Sequence, residues 1–407
     1  MSLRELPPGQ RISRTKSFVA RVRYVPLIAL LIAAMVLTVG GVVVRRHLFA
    51  LTSSATPAAP SLVDAAPAES SNAESGFAPE CRTPVAPPAQ EPWLDGDAKT
   101  AEAVWQSHAA ELTKDYVVGK DGYVDWGDKV DLNLSQAVGR RVLSEAEMKA
   151  WADYLASVQS KLASMGIPFY IVIGPTKFQV YPQKLPEWAQ AIRGSGPMDQ
   201  LLAGDPSLPI VDVRGDLRAA SVSHPVYSRV NSHWTDYGAL VGWDAVIRCM
   251  DTVSPQLGKL TAPPVSSVTI GGDLSEFASF GVKNPVPDWT IPNYATPLLP
   301  YDVTKKDGLT KVVDGTTRSG LLDLPLSTTT RGAQSGKSLL LVRDSMSDSM
   351  SIPAQQTFAQ TWQVQHYMFD PTQTANIVDL AGQLHPDVVV LEFAERYLNN
   401  PAPPPVK

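Results

Sequence analysis

The stretch Pro168-Phe-Tyr-Ile-Val-Ile-Gly174 is a short, unbroken apolar run with β-branched residues at its centre. Such a run is typical of a strand that is covered on both faces of a sheet. Before it, residues 144–165 carry apolar side chains every three or four positions, which predicts a helix. Ser144 and Glu147 have the spacing of a capping box at the start of that helix, and Gly166 ends it. A helix followed by a buried strand is therefore the first unit of the fold.

The same alternation continues along the chain. Further strands are predicted at 208–213, 338–343, 364–369 and 386–393, and further helices at 236–250, 347–360 and 373–383. Strands that alternate with helices indicate an α/β fold with a mainly parallel sheet and helices on both faces, that is, three layers. Residues 255–335 show little periodicity and are rich in Gly, Pro, Thr and Asp, so we expect an irregular insertion there.

The N-terminal part of the chain has the pattern of a membrane anchor. Residues 24–44 carry no charge, and a helix of this length spans a bilayer core of about 30 Å. Basic residues are frequent in 1–23, so the positive-inside rule predicts a cytoplasmic N-terminus, a transmembrane helix and a translocated remainder. A cleaved signal peptide is the alternative, and it is disfavoured because the apolar run exceeds an ordinary signal-peptide core of about 7–15 residues.

Composition divides the translocated part into three pieces. Residues 45–98 are rich in Ala, Pro and Ser, which predicts a disordered tether. Residues 99–398 are expected to form the globular domain, and 399–407 a loose proline-rich tail. The chain's two cysteines, Cys81 and Cys249, would both lie in an oxidising compartment, where they either form one bridge or remain two thiols.

Charge and motifs exclude several classes of function. The chain has 35 Lys and Arg against 40 Asp and Glu, a net charge of −5, which disfavours a nucleic-acid-binding protein. The sequence contains no Walker loop, dinucleotide-binding glycine pattern or HExxH motif. We therefore expect neither a nucleotide cofactor nor a metal.

Ligands of open α/β sheets bind at the carboxyl ends of the strands, and the polar residues found there include a serine and a histidine. Ser345 follows strand 338–343 at the predicted turn into a helix, where a hydroxyl is accessible to act as a nucleophile. His233 lies in the polar loop 227–239 and is the strongest candidate for its base. The alternative is purely structural, with Ser345 as a helix cap and His233 packed beside Trp234.

The histidine loop carries a family resemblance. Asn231-Ser-His233-Trp-Thr with Gly238-Ala239 resembles the Asp-x-His-Trp-Thr…Gly-Ala motif of the AlgJ/AlgX-type alginate O-acetyltransferases, which are SGNH hydrolase-like proteins. Other similar pieces occur in the family's order between residues 117 and 398: Gly119-Lys-Asp-Gly122, Pro175-Thr-Lys177, Val211-Asp212-Val-Arg214, Gly272-Asp273-Leu274, Asp344-Ser345 and Glu395-Arg396-Tyr397.

The resemblance implies an SGNH-like fold, with Ser345 as the nucleophile that takes an acetyl group and His233 as the base. Asn231 stands where the family has an aspartate. An amide fixes the imidazole tautomer but does not stabilise the imidazolium as a carboxylate does. We therefore expect one of three outcomes: a slower enzyme, a substitute carboxylate such as Asp236 or Asp344, or a site that binds without catalysis.

Four side chains are candidates for substrate binding: Arg343, Trp234, Tyr237 and Arg396. Arg343 replaces the family's glycine before Asp-Ser and would add a cation near the reacting oxygen, unless it is a structural residue that faces outward. Trp234 would stack on a sugar unless it packs in the protein. For Lys177 and the Glu395-Arg396 pair, salt bridges at the strand ends that shape the cleft are favoured over a direct part in catalysis. An anionic polysaccharide would need a local basic cleft, for which Arg229 is a further candidate.

The resemblance implies an O-acetyltransferase anchored in the inner membrane, with its catalytic domain in the periplasm and an exported polysaccharide as substrate. Acetyl groups would come from a membrane-bound O-acyltransferase partner. Two alternatives remain open from the sequence, namely a polysaccharide acetylesterase and a non-catalytic scaffold or binding subunit of an export complex.

Overall fold

The computed structural model of the chain describes residues 77–94, 97–272, 274–370 and 373–407. The predicted cytoplasmic segment 1–23, the predicted transmembrane helix 24–44 and the tether up to residue 76 lie outside the described residues. Among the residues that are described, none of the helices combines the length and the apolar character needed to cross a bilayer.

The strands are β1 (Tyr116–Val118), β2 (Val124–Trp126), β3 (Phe169–Gly174), β4 (Ile210–Val211), β5 (Val265–Ile270), β6 (Thr290–Tyr294), β7 (Tyr301–Lys305), β8 (Thr310–Val313), β9 (Leu326–Thr329), β10 (Ser335–Arg343), β11 (Phe358–Gln365) and β12 (Val388–Ala394). The α-helices are α1 (Ala98–Ser107), α2 (Asn133–Ala137), α3 (Glu145–Ser164), α4 (Lys177–Val180), α5 (Glu187–Gln190), α6 (Pro197–Gly204), α7 (Arg214–Ala220), α8 (Asp236–Val253), α9 (Ser351–Thr357) and α10 (Ile377–Leu384).

One large mixed sheet organises the described chain, in the order β4-β3-β12-β10-β11-β9-β7-β8. The strands from β4 to β11 run parallel to one another, whereas β9, β7 and β8 are antiparallel. The expected irregular insertion at 255–335 is therefore wrong in part, because it supplies the antiparallel edge of the sheet. Its strands are too short for their period to be visible in the sequence.

Helices cover both faces of the parallel strands, as the unbroken apolar runs predicted. Along β12, Val388 and Val390 point into one core with α8 and α9, while Val389, Leu391 and Phe393 point into the other with α3 and α10. Side chains alternate between the faces of a strand, so a strand that is apolar at every position is buried on both sides.

The first helix–strand unit has the predicted structure. The Ser144 side chain accepts the Glu147 backbone N–H, and the Glu147 side chain accepts that of Ser144, which completes the capping box. A later boundary was wrong: α9 ends at Thr357, and the strand begins at Phe358 instead of 364. His366, predicted to lie within this strand, follows its end.

Two segments predicted to be loose are folded against the domain. Residues 77–94 of the tether pack on it through Phe77, Cys81 and Trp93, and Cys81 forms a disulfide with Cys249 of α8. In the proline-rich tail, the Val406 N–H donates to Ser157 Oγ at 2.9 Å. The predicted boundaries at 98 and 399 were therefore wrong. A few apolar contacts, one disulfide and one hydrogen bond hold these segments against the domain although they are rich in Ala, Pro and Ser.

Candidate active site

Ser345 begins a single 3-10 turn, Ser345–Asp348, directly after β10. Asp344 caps this turn, because its Oδ1 accepts the Met346 N–H at 2.7 Å. The strand end and the cap hold Ser345 at the carboxyl edge of the parallel strands, where its side chain is partly exposed. This is the edge at which ligands of such sheets bind.

The histidine loop between α7 and α8 reaches the same edge. His233 Nε2 lies 2.9 Å from Ser345 Oγ. The loop is fixed by Trp234, whose indole N–H donates to the Met346 carbonyl at 2.6 Å, and by Thr235, whose hydroxyl accepts the Gly238 N–H at 3.0 Å. A Cβ at Gly238 would lie 2.2 Å from the Val226 carbonyl oxygen, so only glycine fits there. The Trp-Thr…Gly part of the motif therefore positions the histidine.

Asn231 holds the imidazole from the other side. Its Oδ1 lies 3.0 Å from His233 Nδ1 and accepts the His233 backbone N–H at 3.0 Å. Its Nδ2 donates to the Leu274 carbonyl at 2.6 Å, which fixes the orientation of the amide. With the amide oxygen facing Nδ1, the proton of the neutral ring belongs on Nδ1, and Nε2 is free to accept the hydroxyl proton of Ser345.

A carboxylate that was not among the sequence candidates also faces this histidine. Glu276 begins the 3-10 turn Glu276–Phe280 in the insertion, and its Oε2 lies 3.8 Å from His233 Nδ1. The same oxygen accepts the Ser232 N–H at 2.7 Å. The available signal was the family-like Gly272-Asp273-Leu274 just before Glu276, which marked this part of the insertion as related to the site.

The surroundings of His233 favour its neutral form. Burial lowers the pKa of His233 below the ordinary value of 6.5, the carboxylate of Glu276 raises it, and the positive charge of Arg396 lowers it again. The net direction is downward. The imidazole is therefore unprotonated near neutral pH, as a general base must be.

The two carboxylates proposed as substitutes for the family aspartate have other partners. Asp344 Oδ2 accepts the Ala394 N–H at 2.9 Å and lies 3.4 Å from His366 Nε2. Burial raises the pKa of Asp344, but the hydrogen bond from His366, the charge of Arg396 and the hydrogen bond from the Ala394 N–H together hold it below its usual range. Asp236 accepts hydrogen bonds from Trp289 and Arg318. The proposal of either residue as the orienting carboxylate was wrong.

Three of the four predicted substrate-binding residues have structural partners. Arg343 is fully buried, and its guanidinium donates to Gln363, the Asp344 carbonyl, Asp348 and the Ser319 carbonyl, so it neither faces outward nor reaches the substrate side. Trp234 is fully buried and packs in the core. Tyr237 lies against the ring of His224, with centroids 5.6 Å apart.

Arg396, the fourth predicted substrate-binding residue, lies close enough to the site for its charge to act on His233. Its side chain is 14% exposed, its Nε lies 3.9 Å from Asp131 Oδ2, and its guanidinium lies over the Tyr397 ring. Its charge acts on both His233 and Asp344. Lys177 has the structural role: it is fully buried, it donates to the carbonyls of Val124 and Arg229, and burial lowers its pKa to about 8.

A group of aromatic side chains, here called the aromatic cluster, lies beside Glu276. It consists of Tyr116, Trp126, Phe277 and Phe280, with ring centroids between 4.8 and 6.2 Å apart. Phe277 is buried, Phe280 is 40% exposed, and Tyr116 and Trp126 are half-buried. No local sequence pattern indicates this cluster, because its members come from β1, β2 and the insertion.

Residues 132–309 match the family model described as the SGNH hydrolase-like domain of the acetyltransferase AlgX. This part of the chain is similar to the AlgX-type acetyltransferase domain. The resemblance read from the histidine motif is therefore confirmed over these residues, whereas Ser345 lies outside them. Among curated proteins, none matches the chain significantly. Within the part of the chain that the structure describes, His, Cys, Asp and Glu form no group of three or more that could hold a metal ion.

Solved structures with a similar fold include Bacillus cereus PatB1 with a sulfonyl adduct, at 11% identity and a TM-score of 0.50, covering 70% of this chain and 96% of that one. The O-acetyltransferase domain of Pseudomonas putida AlgJ is 18% identical, with a TM-score of 0.41, over 70% of this chain and 92% of that one. Pseudomonas aeruginosa AlgX is 16% identical, with a TM-score of 0.35, over 69% of this chain and 61% of that one. The PatB1 likeness shows a shared fold.

Proposed function

We propose that this protein is an O-acetyltransferase that acetylates an exported polysaccharide through an acyl-serine intermediate. The observation that carries the proposal is the 2.9 Å contact between His233 Nε2 and Ser345 Oγ at the carboxyl end of β10, with Asn231 on the opposite ring nitrogen. A nucleophile, a base and a group that orients the base are the parts that acyl transfer through serine requires. The similarity to the AlgX-type acetyltransferase domain supports acetyl as the group transferred.

The reaction follows from these positions. Ser345 Oγ attacks the carbonyl carbon of the acetyl donor while its proton passes to His233 Nε2. The donor's leaving group departs with that proton, and the acetyl group remains as an ester on Ser345. A sugar hydroxyl then gives its proton to His233 and attacks the ester carbonyl, after which Ser345 takes the proton back. The products are an acetylated sugar and free enzyme.

The aromatic cluster supports a carbohydrate acceptor. Aromatic faces pack on the C–H faces of sugar rings, and Phe280, Trp126 and Tyr116 present such faces beside the turn that carries Glu276. In this proposal the cluster takes the place of Trp234 and Tyr237, whereas Arg396 remains the candidate cation for a polar or charged group of the substrate.

We propose that residues 24–44 anchor the protein in the inner membrane and that the catalytic domain is periplasmic. The apolar run and the basic residues before it support this topology, and so does the Cys81–Cys249 disulfide, since such bonds persist in oxidising compartments. Acetyl groups are made in the cytoplasm, so a membrane-bound O-acyltransferase partner would deliver them to this side.

Mass spectrometry of the full chain mixed with an activated acetyl ester tests the covalent step. The wild type should gain the mass of one acetyl group and Ser345→Ala should not. Ser349→Ala, which removes a nearby buried serine from the same segment, is the matched control and should behave as the wild type. A wild type that never gains the acetyl group would contradict the proposal and favour a non-catalytic scaffold. Candidate oligosaccharides then separate transfer to sugar from release of acetate, the result expected of an esterase.

A further inference from the structure

We propose that Glu276 is the residue that supplies the negative charge which Asn231 lacks, so that the function of one family aspartate is divided between two side chains. The proposal rests on the proposed function of Ser345 and His233. Asn231 would fix the tautomer of the ring, and Glu276 would stabilise the imidazolium that forms when Ser345 gives up its proton. In this assignment Glu276 is a positioning and charge-stabilising residue that acts through His233.

Hydrogen bonds to the histidine loop hold the Glu276 carboxylate in place. The Glu276 N–H donates to the Val230 carbonyl at 3.0 Å, and Oε2 accepts the Ser232 N–H at 2.7 Å. The fully buried Phe277 anchors the turn. These contacts bring Oε2 to 3.8 Å from His233 Nδ1, close enough for charge attraction without competing with Asn231 for the Nδ1 proton.

One short segment controls both partners of the imidazole. The Leu274 carbonyl accepts the Asn231 amide, and Glu276 lies two residues further along. Because the amide donates to Leu274, its oxygen must face Nδ1, and the carboxylate then lies on the same side of the ring. The histidine loop by itself offers His233 only the neutral amide of Asn231. The insertion adds the carboxylate of Glu276.

Other charged groups also act on the His233 pKa, and they either add to or oppose the effect of Glu276. Arg396 approaches from the turn after β12 and opposes protonation, whereas Asp344 and Asp348 of the serine turn favour it. Asp344 is engaged with Ala394 and His366, and Asp348 with Arg343. Among the described residues, Glu276 is the carboxylate with an oxygen within 4 Å of a ring nitrogen of His233.

The first test measures the His233 pKa by NMR in the full chain, together with the rate of acetyl-serine formation. Glu276→Gln keeps an oxygen for the Ser232 N–H and removes only the charge. We expect the pKa of His233 to fall by about one unit and acylation to slow by about tenfold. Glu145→Gln, which changes an exposed carboxylate on α3, should alter neither quantity.

Two results would overturn the proposal. An unchanged His233 pKa with a slower reaction would mean that Glu276 only shapes the loop, and an unchanged pKa and rate would mean that it has no role. Because the pKa is measured without turnover, a wild type that forms no acetyl-serine would refute the proposed function while the charge coupling is still measured.

The second test asks whether Asn231 and Glu276 share one role. Asn231→Asp places a second carboxylate on the same side of the ring, where the two anions repel each other. We expect this change to accelerate acylation less than tenfold in the wild type and by about tenfold or more in the Glu276→Gln background. An equal acceleration in both backgrounds would show that the two residues act independently and would contradict the division of roles.

Discussion

Asp344 lies directly before Ser345, and its hydrogen bonds give it a structural role. Its two oxygens accept backbone N–H groups from both sides of the serine turn, Met346 and Ala394, and Oδ2 also faces His366 Nε2. His366 Nδ1 accepts the Met368 N–H, so its proton lies on Nε2 and points at Asp344. The buried carboxylate therefore fixes the position of the turn that carries Ser345.

Asp344→Asn should therefore destabilise the fold. Either orientation of the amide turns its own N–H groups toward a backbone donor, so at least one buried hydrogen bond is lost along with the charge that faces His366. We expect the free energy of unfolding in urea to fall by about 3–5 kcal/mol. Asp379→Asn on the exposed surface of α10 is the control, and a wild-type midpoint for Asp344→Asn would contradict this account.

The insertion and the N-terminal segment 77–94 extend the fold beyond the parallel strands, one at each end of the sheet. The insertion extends the sheet through β7, β8 and β9 and brings Leu274 and Glu276 to the histidine loop. Segment 77–94 lies at the other end of the sheet, where the backbone of Arg82 forms a parallel β-bridge with Asp212 next to β4 and Cys81 is disulfide-bonded to Cys249 of α8. Neither element was visible as regular structure in the sequence.

The disulfide should contribute stability, because it links residues 168 positions apart and restricts the unfolded chain. A double Cys81→Ala and Cys249→Ala variant should lose about 2–5 kcal/mol of unfolding free energy. Reductant should lower the urea midpoint of the wild type toward that of the variant and leave the variant unchanged. If reductant has no effect on the wild type, the bond does not stabilise the folded domain.

The molecule as a whole buries several carboxyl groups beneath the site, and this makes its stability depend on pH. Burial raises the pKa of Glu395 to about 7, even though Arg214 lowers it and the Thr176 N–H donates to its Oε2. Burial, followed by the charge of Asp344, raises the pKa of Glu392 well above its ordinary value. In both cases the folded protein holds protons that the unfolded chain releases.

The sign of the effect follows from this difference. Below pH 4.5 both states are protonated at Glu395, and between 4.5 and about 7 only the folded state is, so stability falls as the pH rises. Glu395 accounts for a decrease of about 3 kcal/mol across this window. Glu395→Gln should make the pH dependence of the unfolding free energy smaller, whereas the exposed Glu187→Gln should leave it unchanged. An equal slope in Glu395→Gln and the wild type would contradict the assignment.

Local sequence patterns were sufficient to predict two kinds of element: a helix that is capped by its own residues and strands that are apolar at every position. The Ser144–Glu147 box begins α3, and the apolar runs at 169–174, 338–343 and 388–394 are central strands, because full burial leaves no polar face in the pattern. The Asn-x-His-Trp-Thr motif also pointed to His233, since Asn231 and Thr235 make hydrogen bonds within a few positions of the histidine.

Only the tertiary structure decided which groups surround that histidine. Glu276 is 43 residues or more from the motif's Asn231 and His233 in the chain, yet its carboxylate lies beside the ring. Arg343, which directly precedes Asp344, is turned into the core. Periodicity records which face of an element is buried. It carries no information on the distance between two charges from different elements, and that distance decides the chemistry of this site.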